Sequence, residues 1–134
     1  MITADANLIS YLCIVGENSE LAKRVLRADP QWICPLLWRS ELLSVFTKYI
    51  RALLLTIEQS LELWEKAEGI VKESHASDPA SILKLTSTSK LSSYDCEYVA
   101  LAQQMSIPLI TFDKKVLAAF PDVATSAEKF VAGY

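Results

Sequence analysis

Apolar and polar positions along the chain fall into two kinds of block. Short apolar runs read as buried strands: Met1-Ile-Thr-Ala4, Gln31 to Cys34 between Pro30 and Pro35, and Pro108-Leu-Ile-Thr-Phe112. Longer stretches carry helical spacing. Asn7 to Val15 turns helical after the first strand, and Gly16-Glu-Asn-Ser19 is a loop with Ser19 placed to cap the next helix, Glu20 to Ala28. That helix keeps Leu21, Val25 and Ala28 on one face and stops at Asp29-Pro30. From Leu36 to Leu54, the residues Leu42, Leu43, Phe46, Tyr49, Ile50 and Leu53 recur at helical intervals. Thr56, followed by Glu58 and Gln59, starts a helix through Leu61, Trp64 and Ala67 to about Val71. Lys72 to His75 reads as a short strand. Asp78 before Pro79 sets an N-cap and Pro at N1 for a helix through Ile82, Leu83 and Leu85. Ser92 opens a helix from about Ser93 to Met105, Lys114 to Ala119 forms a short one, and a β-turn-α piece runs to Tyr134.

Strands and helices therefore alternate, and the strands are too short and too apolar to be half-exposed. That pattern predicts an α/β fold of three layers, a parallel sheet with helices on both faces. The chain has no repeat, linker or low-complexity tract, so residues 1–134 are expected to form a single domain.

Composition agrees with a packed protein: 134 residues, 51% hydrophobic, with only three glycines. No apolar run approaches the roughly 20 residues that span a bilayer. The N-terminus carries no basic region, apolar h-region or small-residue cleavage site, so neither a leader nor a membrane partner is expected. Cys13, Cys34 and Cys96 are odd in number and lie in apolar contexts without zinc spacing. They read as reduced core residues of a cytoplasmic protein. His75 lies in a polar stretch and reads as a surface residue. A net charge of −3 is the one bulk property that argues against a nucleic-acid partner. A local basic stripe matters more than the total.

Four carboxylates stand out against this frame. Asp5 follows the first strand and Asp113 follows the strand at 108–112. Parallel strands place both at one edge of the sheet, where open α/β sheets bind their ligands. Glu41 has Leu37, Trp38 and Val45 as helical neighbours, and a carboxylate in such apolar surroundings needs a partner. Arg39 or Lys48 could supply one as an ion pair. Asp95 lies three residues after Ser92, so Ser-x-x-Asp also reads as a capping box, with an acid favoured by the helix dipole. The apolar Tyr98-Val-Ala-Leu-Ala102 that follows marks this helix as buried. Clustered carboxylates repel unless a cation neutralises them. Hard oxygen ligands without His or Cys select Mg²⁺ or Mn²⁺, and such a site suits phosphodiester hydrolysis.

The four positions, in this order, also carry a resemblance. Ile2-Thr-Ala-Asp5-Ala-Asn7 resembles the opening motif of PIN domains. Glu41 matches the family's glutamate position. Ser93-Tyr-Asp95-Cys-Glu-Tyr98-Val-Ala-Leu-Ala102 is similar to the third motif, and Pro108-Leu-Ile-Thr111-Phe-Asp113-Lys114 to the last. The resemblance implies strand order 3-2-1-4-5 and a Mg²⁺- or Mn²⁺-dependent endoribonuclease. It makes Asp5, Glu41, Asp95 and Asp113 the metal ligands, with Asn7 and Thr111 supporting them. A PIN domain of this length resembles the toxin of a VapBC toxin–antitoxin pair, which implies a homodimer blocked by a small antitoxin in the acidic groove. Arg39, Lys48, Arg51, Lys114 and Lys115 are the candidates for holding RNA phosphates, although each also reads as an ordinary surface charge.

Other readings fit less well. A haloacid-dehalogenase phosphatase needs a second Asp two residues after the first, where Asn7 stands. A response-regulator receiver wants an acidic pair near its first strand. An RNA-processing nuclease is chemically identical to a toxin, and a binding module could retain the fold alone.

Overall fold

The computed structural model describes residues 1–133. Among them, β1 (Ile2–Ala4), β2 (Trp32–Pro35), β3 (Val71–His75), β4 (Leu109–Thr111) and β5 (Ala124–Ser126) form one sheet in the order β3-β2-β1-β4-β5. Every pairing is parallel, with Thr3 opposite both Ile33 and Leu109. The connecting helices are α1 (Ala6–Cys13), α2 (Ser19–Ala28), α3 (Leu37–Arg51), α4 (Ile57–Ile70), α5 (Pro79–Thr88), α6 (Ser93–Met105), α7 (Lys114–Ala119) and α8 (Ala127–Ala132). This is the α/β architecture and strand order expected. Tyr134, the last residue of the β-turn-α piece, lies outside the described residues.

Alternation along the central strands explains the two helical layers. Ile110 packs with Ile2, Ala4, Trp32 and Cys34 against Leu8, Ile9, Val25, Trp38, Leu42 and Val131. Its neighbour Leu109 packs on the opposite face against Val99, Ala102 and Val116. Successive residues of a strand point to opposite faces, so two apolar neighbours need cover on both sides.

β3 departs from the expectation of wholly buried strands. Val71 is buried, but Lys72, Glu73 and Ser74 are exposed. It is an edge strand, and charged side chains there discourage pairing with another chain. His75 ends this strand, half-exposed, with Nε2 3.2 Å from Glu73 Oε1. It is therefore the last residue of the edge strand.

The helix starts follow the capping signals with one exception. Thr56 and Gln59 form a reciprocal capping box, Asp78 accepts from Ser81 N, and Ser92 accepts from Asp95 N. Ser19, expected to cap α2, is instead its first residue. It is buried, and its hydroxyl accepts from Gly16 N at 2.8 Å and donates to Ile14 O at 3.2 Å. It closes the preceding loop, where a buried hydroxyl finds both partners. The far end of α1 is clasped by α4. Lys66 Nζ donates to Leu12 O at 2.9 Å, and Cys13 Sγ lies 3.7 Å from Leu63 O. All three cysteines are free and buried.

α3 ends at Arg51, three residues short of the expected Leu54, because Leu53 adopts a left-handed conformation with φ 60°. Leu53 N donates to Ile50 O and Leu54 N to Tyr49 O, the two bonds of a Schellman motif. Glycine normally holds that position, since a Cβ there costs about 1–2 kcal/mol. Leu53 is 91% exposed, so its side chain contributes little burial. Leu53→Gly is expected to raise stability by roughly 0.5–1 kcal/mol after the added freedom of the unfolded chain is counted. Leu53→Val, with a branched Cβ at positive φ, is expected to lower it. Urea denaturation of the two variants checks both signs.

Candidate functional site

β1 and β4 are neighbours, with Ala4 opposite Ile110, so their carboxyl ends lie side by side. Asp5 follows β1 directly in extended backbone (ψ 166°) and caps α1, its Oδ1 accepting from Leu8 N at 2.8 Å. Its Oδ2 accepts from Thr111 Oγ1 at 2.6 Å and from Phe112 N at 3.3 Å. The Thr111 hydroxyl in turn accepts from Asp113 N at 3.0 Å. Thr111, only 1% exposed, thus ties the two strand-end acids to one oxygen atom. Asp113 caps α7, and its Oδ1 accepts from Lys115 N at 2.8 Å.

Glu41 and Asp95 come from helices. Glu41 lies in α3, and its Oε1 accepts from the Tyr98 hydroxyl at 2.7 Å. The partner its apolar surroundings demanded is therefore a phenol and not Arg39 or Lys48. Arg39 reaches Glu68 Oε2 at 3.3 Å and lies over the Trp64 ring at 4.9 Å. Asp95 occupies the first turn of α6. Ser92 supplies the capping bond to its backbone, while the Asp95 side chain lines the cleft.

All four acids, with Asn7, Tyr98, Thr111, Leu109 and Val116, line one cleft of about 80 Å³. That space is ample for a small cation and the water bound to it. The acids surround the cleft without closing on one point. Among the described residues, no three His, Cys, Asp or Glu side chains are gathered into a ready metal-ligand group. Like charges with nothing between them are expected to stand apart.

Burial and the neighbouring acids together shift the ionisable groups of the cleft. Burial pushes the Asp5 carboxyl above the usual carboxylate range. Its hydrogen bonds from Thr111, Leu8 and Phe112 oppose the shift, and Asp113 adds to it. Glu41 is raised as well, chiefly by burial and then by Asp5, Asp95 and Glu97, while the Tyr98 hydrogen bond opposes. Tyr98 is pushed far above an ordinary phenol, first by its own burial and then by Glu41, and so remains a donor. Burial drives the neighbouring Cys34 thiol up to about 12 against the pull of its bond to Ala4, with Asp5 adding to the rise. These are hard oxygen donors in an excess of negative charge, which fits Mg²⁺ or Mn²⁺.

None of the five basic candidates lines the cleft. Lys48, Arg51, Lys114 and Lys115 are exposed. Lys48 follows Glu41 by two helical turns on the same face of α3, and Lys114 and Lys115 directly follow Asp113. Arg39 instead borders an open apolar groove between α3 and α4 with Leu43, Phe46, Ile57, Leu61 and Trp64. Tyr98 was not among the sequence candidates. The signal available was its spacing, one turn after Asp95 on the same helical face.

Known proteins resemble this chain throughout its length. A family model described as PIN domain matches residues 2–124. Ribonuclease VapC3 of Pyrobaculum aerophilum is 27% identical over 128 residues, covering 92% of this chain and 98% of that protein. A Pyrobaculum aerophilum crystal structure superposes with a TM-score of 0.77 at 17% identity, covering 98% of this chain and 87% of the other. A toxin–antitoxin complex from Klebsiella pneumoniae gives 0.74 at 21% identity, covering 95% and 98%. FitAcB from Neisseria gonorrhoeae gives 0.68 at 21% identity, covering 96% and 99%. At these identities the structures share the fold.

The raised carboxyls set a pH dependence. Asp5 and Glu41 hold protons more tightly folded than unfolded, where carboxyls titrate near 4. Their contribution to stability is full below that value and is lost as pH rises through the raised folded-state values. In metal-free protein, the fall in thermal midpoint from about pH 4 to 7 is expected to be smaller for Asp5→Asn than for wild type. Calorimetric melts across that range check it, and parallel curves would refute a raised Asp5.

Proposed function

This chain belongs to the PIN domain family, and from that premise we propose that it is a Mg²⁺- or Mn²⁺-dependent endoribonuclease acting at the cleft of Asp5, Glu41, Asp95 and Asp113. The observation that carries the reading is the gathering of four acids on one small cleft at the carboxyl ends of β1 and β4, with no basic side chain among the residues that line it. The likeness to a protein named a ribonuclease supports the substrate class.

Asp5, Asp95 and Asp113 would hold the cation directly, with Glu41 as a further ligand or acting through water. When bound, the metal supplies a lowered water pKa and charge stabilisation at the leaving oxygen, the needs of phosphodiester hydrolysis to a 5′-phosphate and a 3′-hydroxyl. The protein's own contribution is positioning. Thr111 fixes Asp5 and the backbone of Asp113 together. The α1 N-terminus holds the other Asp5 oxygen. Asn7, exposed at the edge of the cleft, offers a neutral donor and acceptor to a phosphate or ribose. Lys48, Arg51, Lys114 and Lys115 would take flanking phosphates.

The biological reading is a toxin nuclease held in check by a small antitoxin that covers the acidic cleft, the nuclease itself being a homodimer. Its support is the likeness to Ribonuclease VapC3 and to a chain of a toxin–antitoxin complex. A negatively charged cleft calls for a basic segment from such an inhibitor.

Purified protein incubated with structured RNA and Mn²⁺ is expected to cleave it, and EDTA to abolish the reaction. Asp5→Asn is expected to lower the rate by at least about 100-fold. Thr111→Val, which removes only a supporting hydroxyl, should cost about 10–100-fold. Cleavage that persists in EDTA, or in Asp5→Asn at the wild-type rate, overturns the proposed chemistry.

A further inference from the structure

Glu41 and Tyr98 are 57 residues apart in sequence and belong to different helices, yet a 2.7 Å hydrogen bond joins them inside the cleft. Tyr98 is 5% exposed, so its ring is fixed by packing, with Val99, Ala102 and Leu109 among the neighbours of its cluster. Its hydroxyl sits one turn beyond Asp95 on α6, which places a phenol and a carboxylate on the same face toward the same cavity. Glu41 is the opposite kind of residue. A glutamate has three rotatable bonds, and this one receives no other side-chain partner among the hydrogen bonds described. The Asp5 and Asp113 carboxylates each accept from a backbone N–H at a helix start, and Asp5 is also braced by Thr111. Asp95, with a side chain shorter than a glutamate's, lies on the first turn of α6. Glu41 lies in the second turn of α3, with no comparable backbone anchor.

We propose that Tyr98 is a positioning residue of the acidic cleft: its buried hydroxyl holds Glu41 Oε1, so that the carboxylate is presented to a divalent cation through its other oxygen. This rests on the metal-dependent reading of the cleft. A donor that is itself immobile selects one rotamer of a flexible acid before any ligand arrives, and less ordering is left to occur on binding. Such outer partners contribute about 10–100-fold to metal affinity or activity when removed. A purely structural role is the competing account, since a buried tyrosine hydroxyl also needs an acceptor for its own sake. The two accounts differ in what depends on Glu41.

The test is a double-mutant cycle read by calorimetric titration of the metal-free protein with Mn²⁺ alone, with thermal midpoints measured in parallel. Tyr98→Phe removes one oxygen and keeps the ring. It is expected to weaken Mn²⁺ binding by about 10-fold and to slow RNA cleavage by a comparable factor. In the Glu41→Gln background, the same substitution is expected to change Mn²⁺ affinity by less than about twofold, because the pair acts as a unit. Unchanged Mn²⁺ affinity in Tyr98→Phe, or an equal loss in both backgrounds, overturns the positioning role whatever happens to the melting temperature. Wild-type protein that binds no Mn²⁺ overturns the metal reading itself, and the positioning role with it. If Tyr98→Phe is destabilised, its Mn²⁺ titration is run well below its own thermal midpoint, where the protein is folded. An affinity there within about twofold of wild type overturns the proposal.

Discussion

A single carboxylate, that of Asp5, joins three elements of the fold. One oxygen caps α1, the other accepts from the end of β4, and the Asp5 backbone N–H donates to Ile110 O. Three hydrogen bonds converge on this carboxyl, and leaving their buried donors without an acceptor makes the residue structurally costly to replace. It is also buried enough to resist ionisation, with Asp113 nearby. The protein thus builds its central crossover around a group whose charge it only partly tolerates. Helix caps, the buried Thr111 and the spacing of the other acids around the cleft all answer that one tension.

Much of this was legible from local sequence because it is local chemistry. A strand of buried residues that ends in an acid places that acid at the sheet edge, as for Asp5 and Asp113. Glu41 was marked by its apolar neighbours, although not its partner. The choice of Tyr98 over Arg39 depends on how α3 meets α6, and no spacing within α3 encodes it. Arg39 went instead to the two tryptophans and Glu68 of the α3–α4 hairpin. Asp95 showed that two readings of one residue can both hold, since its backbone takes the Ser92 cap while its side chain faces the cleft.

The features that escaped sequence reasoning have tertiary causes. β3 is exposed because it falls at the sheet edge, a consequence of strand order. Ser19 serves a loop because Ile14 O and Gly16 N turn back to it. Leu53 and Ser106 both hold left-handed backbone at helix ends, while none of the described glycines does. Leucine and serine thus stand where glycine is usual; α6 ends at Met105 as its spacing suggests, while α3 stops three residues before Leu54.

The clasp of α4 on the end of α1 gives that short helix an unusual mechanical position. Its eight residues span about 12 Å. At one end the Asp5 carboxylate meets the positive pole of the helix, and at the other the Lys66 ammonium meets the negative pole. α1 is therefore a strut fastened by opposite charges at both tips. It cannot pivot without loosening either the acid of the cleft or the outer hairpin. The rim of the cleft and the α3–α4 surface consequently share one rigid member, and the stiffness of the first is set in part by the anchorage of the second.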